Sequence, residues 1–208
     1  MQDAYVGGWA RESHWSAGIL ESLRDLNHQF LDLAAARTGW VAGQVAALSA
    51  AQRAAAAGCP YALFDLRFQD DRHWRERLQS LRSWYVADES AVDDQGDNQA
   101  DDQGDNSTIG FVRLALFYAW HVASSEGLKA QLLLGMNGGT AVEFRRITVN
   151  QLPTLAATEA KHLSARWSGS ATYWNALTAA ALRTDLRALR RVQLHGLQLA
   201  AAARLPGP

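Results

Sequence analysis

Apolar residues recur at helical spacing along most of this chain. Ile19, Leu20, Leu23, Leu26, Phe30 and Leu33 predict an amphipathic helix from Ser16 to Ala36, closed by Gly39. A second helix is expected over Val41–Ala57, ending at Gly58-Cys59-Pro60. Leu63, Phe64, Leu66 and Phe68 then form a short apolar run, read as one β-strand or an extended turn. Asp70-Asp71 should cap a helix from Arg72 to about Val86. Further on, helices are expected over Ile109–Ser125, Lys129–Leu134 (closed by Gly135) and Thr140–Ile147, and from a Thr148 cap to about Leu163. Ser170 or Thr172 should start a last long helix that buries Trp174, Leu177, Leu182, Leu186, Leu189, Leu194 and Leu197.

The pattern also repeats. Residues 48–68 lie over residues 147–167 at a constant offset of 99, so Leu48 meets Ile147, Ser49 meets Thr148, Gln52 meets Gln151 and Arg67 meets Arg166. A hydroxyl caps a helix in both segments, and an Arg-aromatic pair ends both. Upstream, 23–35 corresponds loosely to 114–124. The expected fold class is therefore all-α: two tandem related helical units forming a pseudo-dimer, with one short strand per unit.

Charge divides the chain in the same place. Residues 1–87 carry nine acids and nine bases, residues 88–106 eight acids and no base, and residues 107–208 eleven bases and four acids. The acidic stretch contains DDQGDN twice and has too little apolar surface to offset the entropy of ordering. The expected organisation is an N-terminal helical unit over 1–87, an acidic disordered linker over 88–107 and a C-terminal helical unit over 108–208. A single cysteine, Cys59, excludes an internal disulfide. With no basic-then-apolar N-terminal segment and no apolar run of about 20 residues, the expected location is cytoplasmic, with no membrane partner.

The second half resembles a known family. Leu134-Gly135-Met136-Asn137, the helix ending at Ile147, Thr148 with Gln151-Leu152, Leu155-Ala156 and the closing Arg166-Trp167 pair are similar to the FlhD subunit of the bacterial flagellar master transcriptional activator. Residues 186–200 resemble that family's last helix, and 23–75 match more faintly. The resemblance implies an all-helical, dimerising subunit that joins a zinc-bearing partner to contact promoter DNA. This chain departs from the family in its near-double length, its acidic insert and its lack of a four-cysteine set.

The chemistry the residues offer is sparse. Arg183, Arg187, Arg190 and Arg191 fall at helical spacing, and Arg145-Arg146 form a second pair, so these six are the candidates for DNA phosphate or an acidic partner; the plainer reading is a solvated helix face. Residues 140–155 admit a helix-turn-helix reading with Asn150, Gln151, Thr154 and Thr158 as base readers, against ordinary core packing. GMNGGT at 135–140 reads as a helix-breaking turn, since no Gly-Lys-Ser/Thr follows it. His14, His28, His73, His121, His162 and His195 are scattered, which predicts no metal site, and no catalytic residue or cofactor site is expected. Cys59 reads as a small buried hydrophobe, and the eight tryptophans as core anchors or interface residues. The expected function is a non-enzymatic regulatory adaptor, acting through a protein partner or as a homo-oligomer, with DNA contacted only in a complex. The alternative is a small-molecule-binding or catalytic helical protein whose site is assembled from residues distant in sequence.

Overall fold

Alanine, leucine and arginine, the best helix formers, dominate the chain and shape almost all of it. A computed structural model describes residues 6–88 and 103–203, except for the side chains of 6–16, 40, 84–88 and 103–105. The described residues form ten α-helices and one two-stranded ladder: α1 (Val6–Ala35), α2 (Trp40–Ala46), α3 (Ala50–Ala56), β1 (Phe64–Asp65), α4 (Asp71–Asp88), α5 (Gln103–Ser125), α6 (Gly127–Leu134), α7 (Gly138–Phe144), α8 (Leu152–Glu159), β2 (Ser164–Ala165), α9 (Ala171–Leu182) and α10 (Leu186–Ala202). Single 3-10 turns at Val149–Gln151 and Ala160–His162 flank α8. The fold is all-α, as expected.

Several boundaries differ from the sequence reading, each for a local reason. The helix expected over 41–57 is two helices, because Ser49 starts α3 with its own capping box: the Ser49 hydroxyl accepts from Gln52 N–H while the Gln52 side chain accepts from Ser49 N–H. The last long helix is also two. Thr184 adopts the left-handed region at φ 50°, and the Asp185 carboxylate restarts the helix by accepting from the N–H groups of Arg187 and Ala188, both at 3.0 Å. Helix α5 begins at Gln103, inside the stretch expected to be a linker. Residues 89–102 of that expected linker lie outside the described residues.

The described residues pack as two compact units that draw on both sides of the acidic stretch: 6–63 with 166–199, and 64–88 and 103–165 with 200–203. In the first unit, α1 packs against α2 and α3, and α9 packs against the same two helices. Leu23, Leu31, Val45, Tyr61, Tyr173 and Trp174 fill its core. In the second, α5 packs against α6, α7 and α8, and α4 packs against α7. Trp74, Phe68 and Phe144 form an aromatic cluster there, with the Trp74 and Phe144 rings 4.7 Å apart. The expected strands exist but pair with each other in this one unit, antiparallel, with Phe64 opposite Ala165 and Asp65 opposite Ser164.

The internal likeness reaches the backbone. Thr148 and Gln151 form a capping box like that of Ser49 and Gln52. Beyond the strands the offset becomes 100, one more than the sequence pattern suggests. Arg67 and Trp167 both have positive φ, at 57° and 54°. Asp70 N–H bonds to Arg67 C=O as Ser170 N–H does to Trp167 C=O. Helices α4 and α9 start after these turns, and each carries a fully buried tryptophan, Trp74 or Trp174. Their indole N–H groups donate to the carbonyls of Arg67 and Arg166.

Candidate functional site

The arginine candidates separate into two groups. Arg183, Arg187, Arg190 and Arg191 belong to the first unit, while Arg145 and Arg146 belong to the second. All six are exposed. Arg145 is spent locally: its Nε donates to Ala123 C=O at 2.9 Å and its guanidinium lies over Gly127, where a Cβ would meet it at 2.2 Å. Arg146 pairs with Glu143 at 3.1 Å, which also meets Arg82 at 3.4 Å. The α9–α10 arginines are different. Arg187 and Arg191 sit one turn apart on α10, with Arg190 beside them. Asp185 is the carboxylate in their field: its backbone hydrogen bonds to Ala188 and Arg187, with Arg191 and Arg183 adding charge, hold it below the usual carboxylate range. A shallow depression of about 330 Å³ lies between α9 and α10, with Arg183, Arg191 and His195 on its rim over Ala176 and Ala180.

Helix α10 buries a different face from the one its leucines suggest. Leu189 and Val192 are buried, and Gly196 lies under the Tyr61 ring, with room for no side chain. Leu182, Leu186, Leu194 and Leu197 are exposed, Leu186 at 69% and Leu194 at 61%. Leu186, Arg190, Leu194 and Leu197 stand at i, i+4, i+8 and i+11, one stripe on the outside of the helix. The break at Thr184 sets this phase, and the residue letters alone did not show it.

The helix-turn-helix candidates are mostly engaged. Gln151 is buried and its side chain accepts from Thr148 N–H, and Thr158 donates to Leu155 C=O. GMNGGT is a turn: Gly135 takes the left-handed conformation that ends α6, and the Asn137 side chain caps α7 by accepting from Thr140 N–H. Cys59 is buried among Tyr61 and Tyr173, whose hydroxyls lie 3.2 Å apart; burial pushes its thiol up from 9.0 to about 11, so it is held protonated. His14, Trp9, Trp15, Trp40 and Trp84 lie outside the residues whose side chains are described.

One cluster went unseen in the sequence. Helix α4 brings His73 against the end of α8, where Glu159 and His162 stand three residues apart. His73 Nε2 and Glu159 Oε2 are 2.8 Å apart, and Arg77 Nε lies 2.8 Å from Glu159 Oε1. Glu159 is fully buried. The His73 and His162 rings meet edge to face at 5.2 Å. Arg67 Nη1 lies 3.3 Å from His73 Nδ1, and Arg67 also pairs with Asp70 at 2.5 Å. A guanidinium can only donate, so His73 Nδ1 accepts and Nε2 carries the proton that bonds to Glu159. Burial pushes His162 below the usual histidine range, against the pull of Glu159. The Glu-x-x-His spacing at 159–162 was the available signal; the third member, 86 residues away, gave none.

No protein-family model, no curated protein and no solved structure matches this chain. No helix among the described residues is long and apolar enough to cross a membrane.

Proposed function

We propose that the chain is a non-enzymatic regulatory adaptor, built as an internally duplicated FlhD-like pair, that acts in bacterial transcription control through a protein partner. DNA is contacted only inside the resulting complex. One observation carries the reading: the outer face of α10 exposes Leu186, Leu194 and Leu197 around Arg190, with Arg187 and Arg191 beside them. Large apolar side chains ringed by arginines suit a partner with an apolar ridge and acidic flanks. The repeated capping boxes, turns and buried tryptophans support the duplication, and the resemblance of residues 134–167 and 186–200 supplies the family.

The test is a gel-shift assay at moderate salt, run with and without co-purified partner. A shift only in the partner's presence is the expected result. Arg187→Glu with Arg191→Glu should abolish partner binding, and Leu194→Ser should weaken it without moving the melting temperature. Unchanged binding by the charge-reversed protein sinks the α10 face as the docking surface.

A further inference from the structure

We propose that His73, Glu159 and His162 form a binding site for one divalent transition-metal ion of the zinc class. The site goes beyond the adaptor reading and does not depend on it. One ligand atom from each of the three residues lies within 4.8 Å of the other two. Two imidazoles and a carboxylate are the donor set that borderline cations such as Zn²⁺ select, and three protein ligands leave a fourth position for water or a partner's side chain. Bonds of about 2.0–2.2 Å place tetrahedral ligand atoms roughly 3.3–3.6 Å apart, so closure asks for movements of about an ångström. His162 is only partly buried and ends a single 3-10 turn, and it is the member free to make that movement.

The equivalent place in the other unit shows that packing does not require these groups. With the offsets that align the two helix starts, Tyr173 stands where His73 does, and Pro60 and Leu63 stand where Glu159 and His162 do. There the same turn-to-helix junction closes with Tyr61, Cys59 and Tyr173, none of them a carboxylate or an imidazole. Burying a carboxylate at the other copy costs free energy, which the fold itself does not demand.

The surrounding cations fix what loading must do. Arg77 holds Glu159 Oε1 and competes with the ion for it. The Nε2 proton of His73 moves to Nδ1 as Nε2 takes the metal, and Arg67 turns from Nδ1 to its other partner, Asp70. No proton is released in that exchange. Lys161 lies between Glu159 and His162 in sequence and is exposed.

Equilibrium dialysis of the full chain against Zn²⁺ should give one bound equivalent, and Co²⁺ should give the visible absorption of a tetrahedral N/O site. His162→Ala, whose folding is checked by circular dichroism, should weaken Zn²⁺ binding about tenfold or more, and His73→Gln likewise. Arg77→Gln should tighten it several-fold by freeing Glu159. The proposal is overturned if the wild-type chain binds no Zn²⁺, if His162→Ala and His73→Gln bind it as the wild type does, or if Arg77→Gln weakens it.

Discussion

Asn27 reaches from α1 to Tyr61, its Nδ2 2.9 Å from the Tyr61 carbonyl oxygen. The same amide nitrogen lies 3.3 Å from the carbonyls of Ala57 and Cys59, and the Asn27 oxygen accepts from Leu63 N–H at 2.8 Å. One fully buried side chain thus meets four backbone groups of the segment between α3 and β1. Asn27→Leu leaves those groups buried and unpaired, at about 1–3 kcal/mol for each that water cannot reach. Urea unfolding should show a loss of about 3 kcal/mol or more, and a loss under 1 kcal/mol would mean the segment finds other partners.

Glycines with opposite surroundings make a paired prediction. At Gly196 a Cβ would lie 2.0 Å from the Tyr61 hydroxyl, which in turn donates to Val192 C=O at 3.3 Å. Gly196→Ala must push the ring from its site and should cost about 1–3 kcal/mol. Gly18, exposed in the body of α1, has nothing within 4 Å of its would-be Cβ. Gly18→Ala should gain about 0.5–1 kcal/mol by lowering the entropy of the unfolded chain. Thermal melts of the two variants should move in opposite directions.

Thr184 holds a β-branched side chain at φ 50°, a conformation that costs roughly 1–2 kcal/mol outside glycine. Its hydroxyl recovers part of that by donating to Arg183 C=O at 2.7 Å. Thr184→Gly should therefore stabilise the chain by up to about 1 kcal/mol, and Thr184→Ala, which removes the hydrogen bond and keeps the strain, should destabilise it. If both variants are destabilised, the α9–α10 junction is held by the hydroxyl and not opposed by the backbone.

What the sequence made legible follows from how local each cause is. Helices show through the spacing of Leu23, Leu26 and Phe30, and caps show through Asp70, Thr148 and Ser49, because those signals act within one turn. The break at Thr184 carries neither glycine nor proline, so periodicity alone puts α10 in the wrong phase and its exposed leucines in the core. The pairing of β1 with β2 and the meeting of His73 with Glu159 join residues about a hundred and 86 positions apart. Composition and periodicity carry no information about such partners. The likeness of 48–68 to 147–167 is visible as letters, but the one-residue change of offset between Leu163 and Trp174 emerges only from the matching turns at Arg67 and Trp167.

Alkaline pH should weaken the first unit through Cys59. Its thiol is raised from 9.0 to about 11, chiefly by burial, so the folded chain keeps a proton that the unfolded chain gives up. The stabilisation is fully present below pH 9 and is lost as pH rises from 9 towards 11. Within that window the slope approaches 1.4 kcal/mol per pH unit, on the order of 3 kcal/mol in all. Tyr61 and Tyr173 are raised in the same direction by burial and by the neighbouring thiol, and they extend the loss to higher pH. Urea midpoints measured from pH 8 to 10.5 should fall steadily, and Cys59→Ala should flatten the curve between 9 and 10.5. In the folded chain at pH 8 the thiol should resist a thiol-specific reagent and react at once on adding denaturant. Rapid labelling of the native chain would place Cys59 in contact with solvent and remove the cause of the shift.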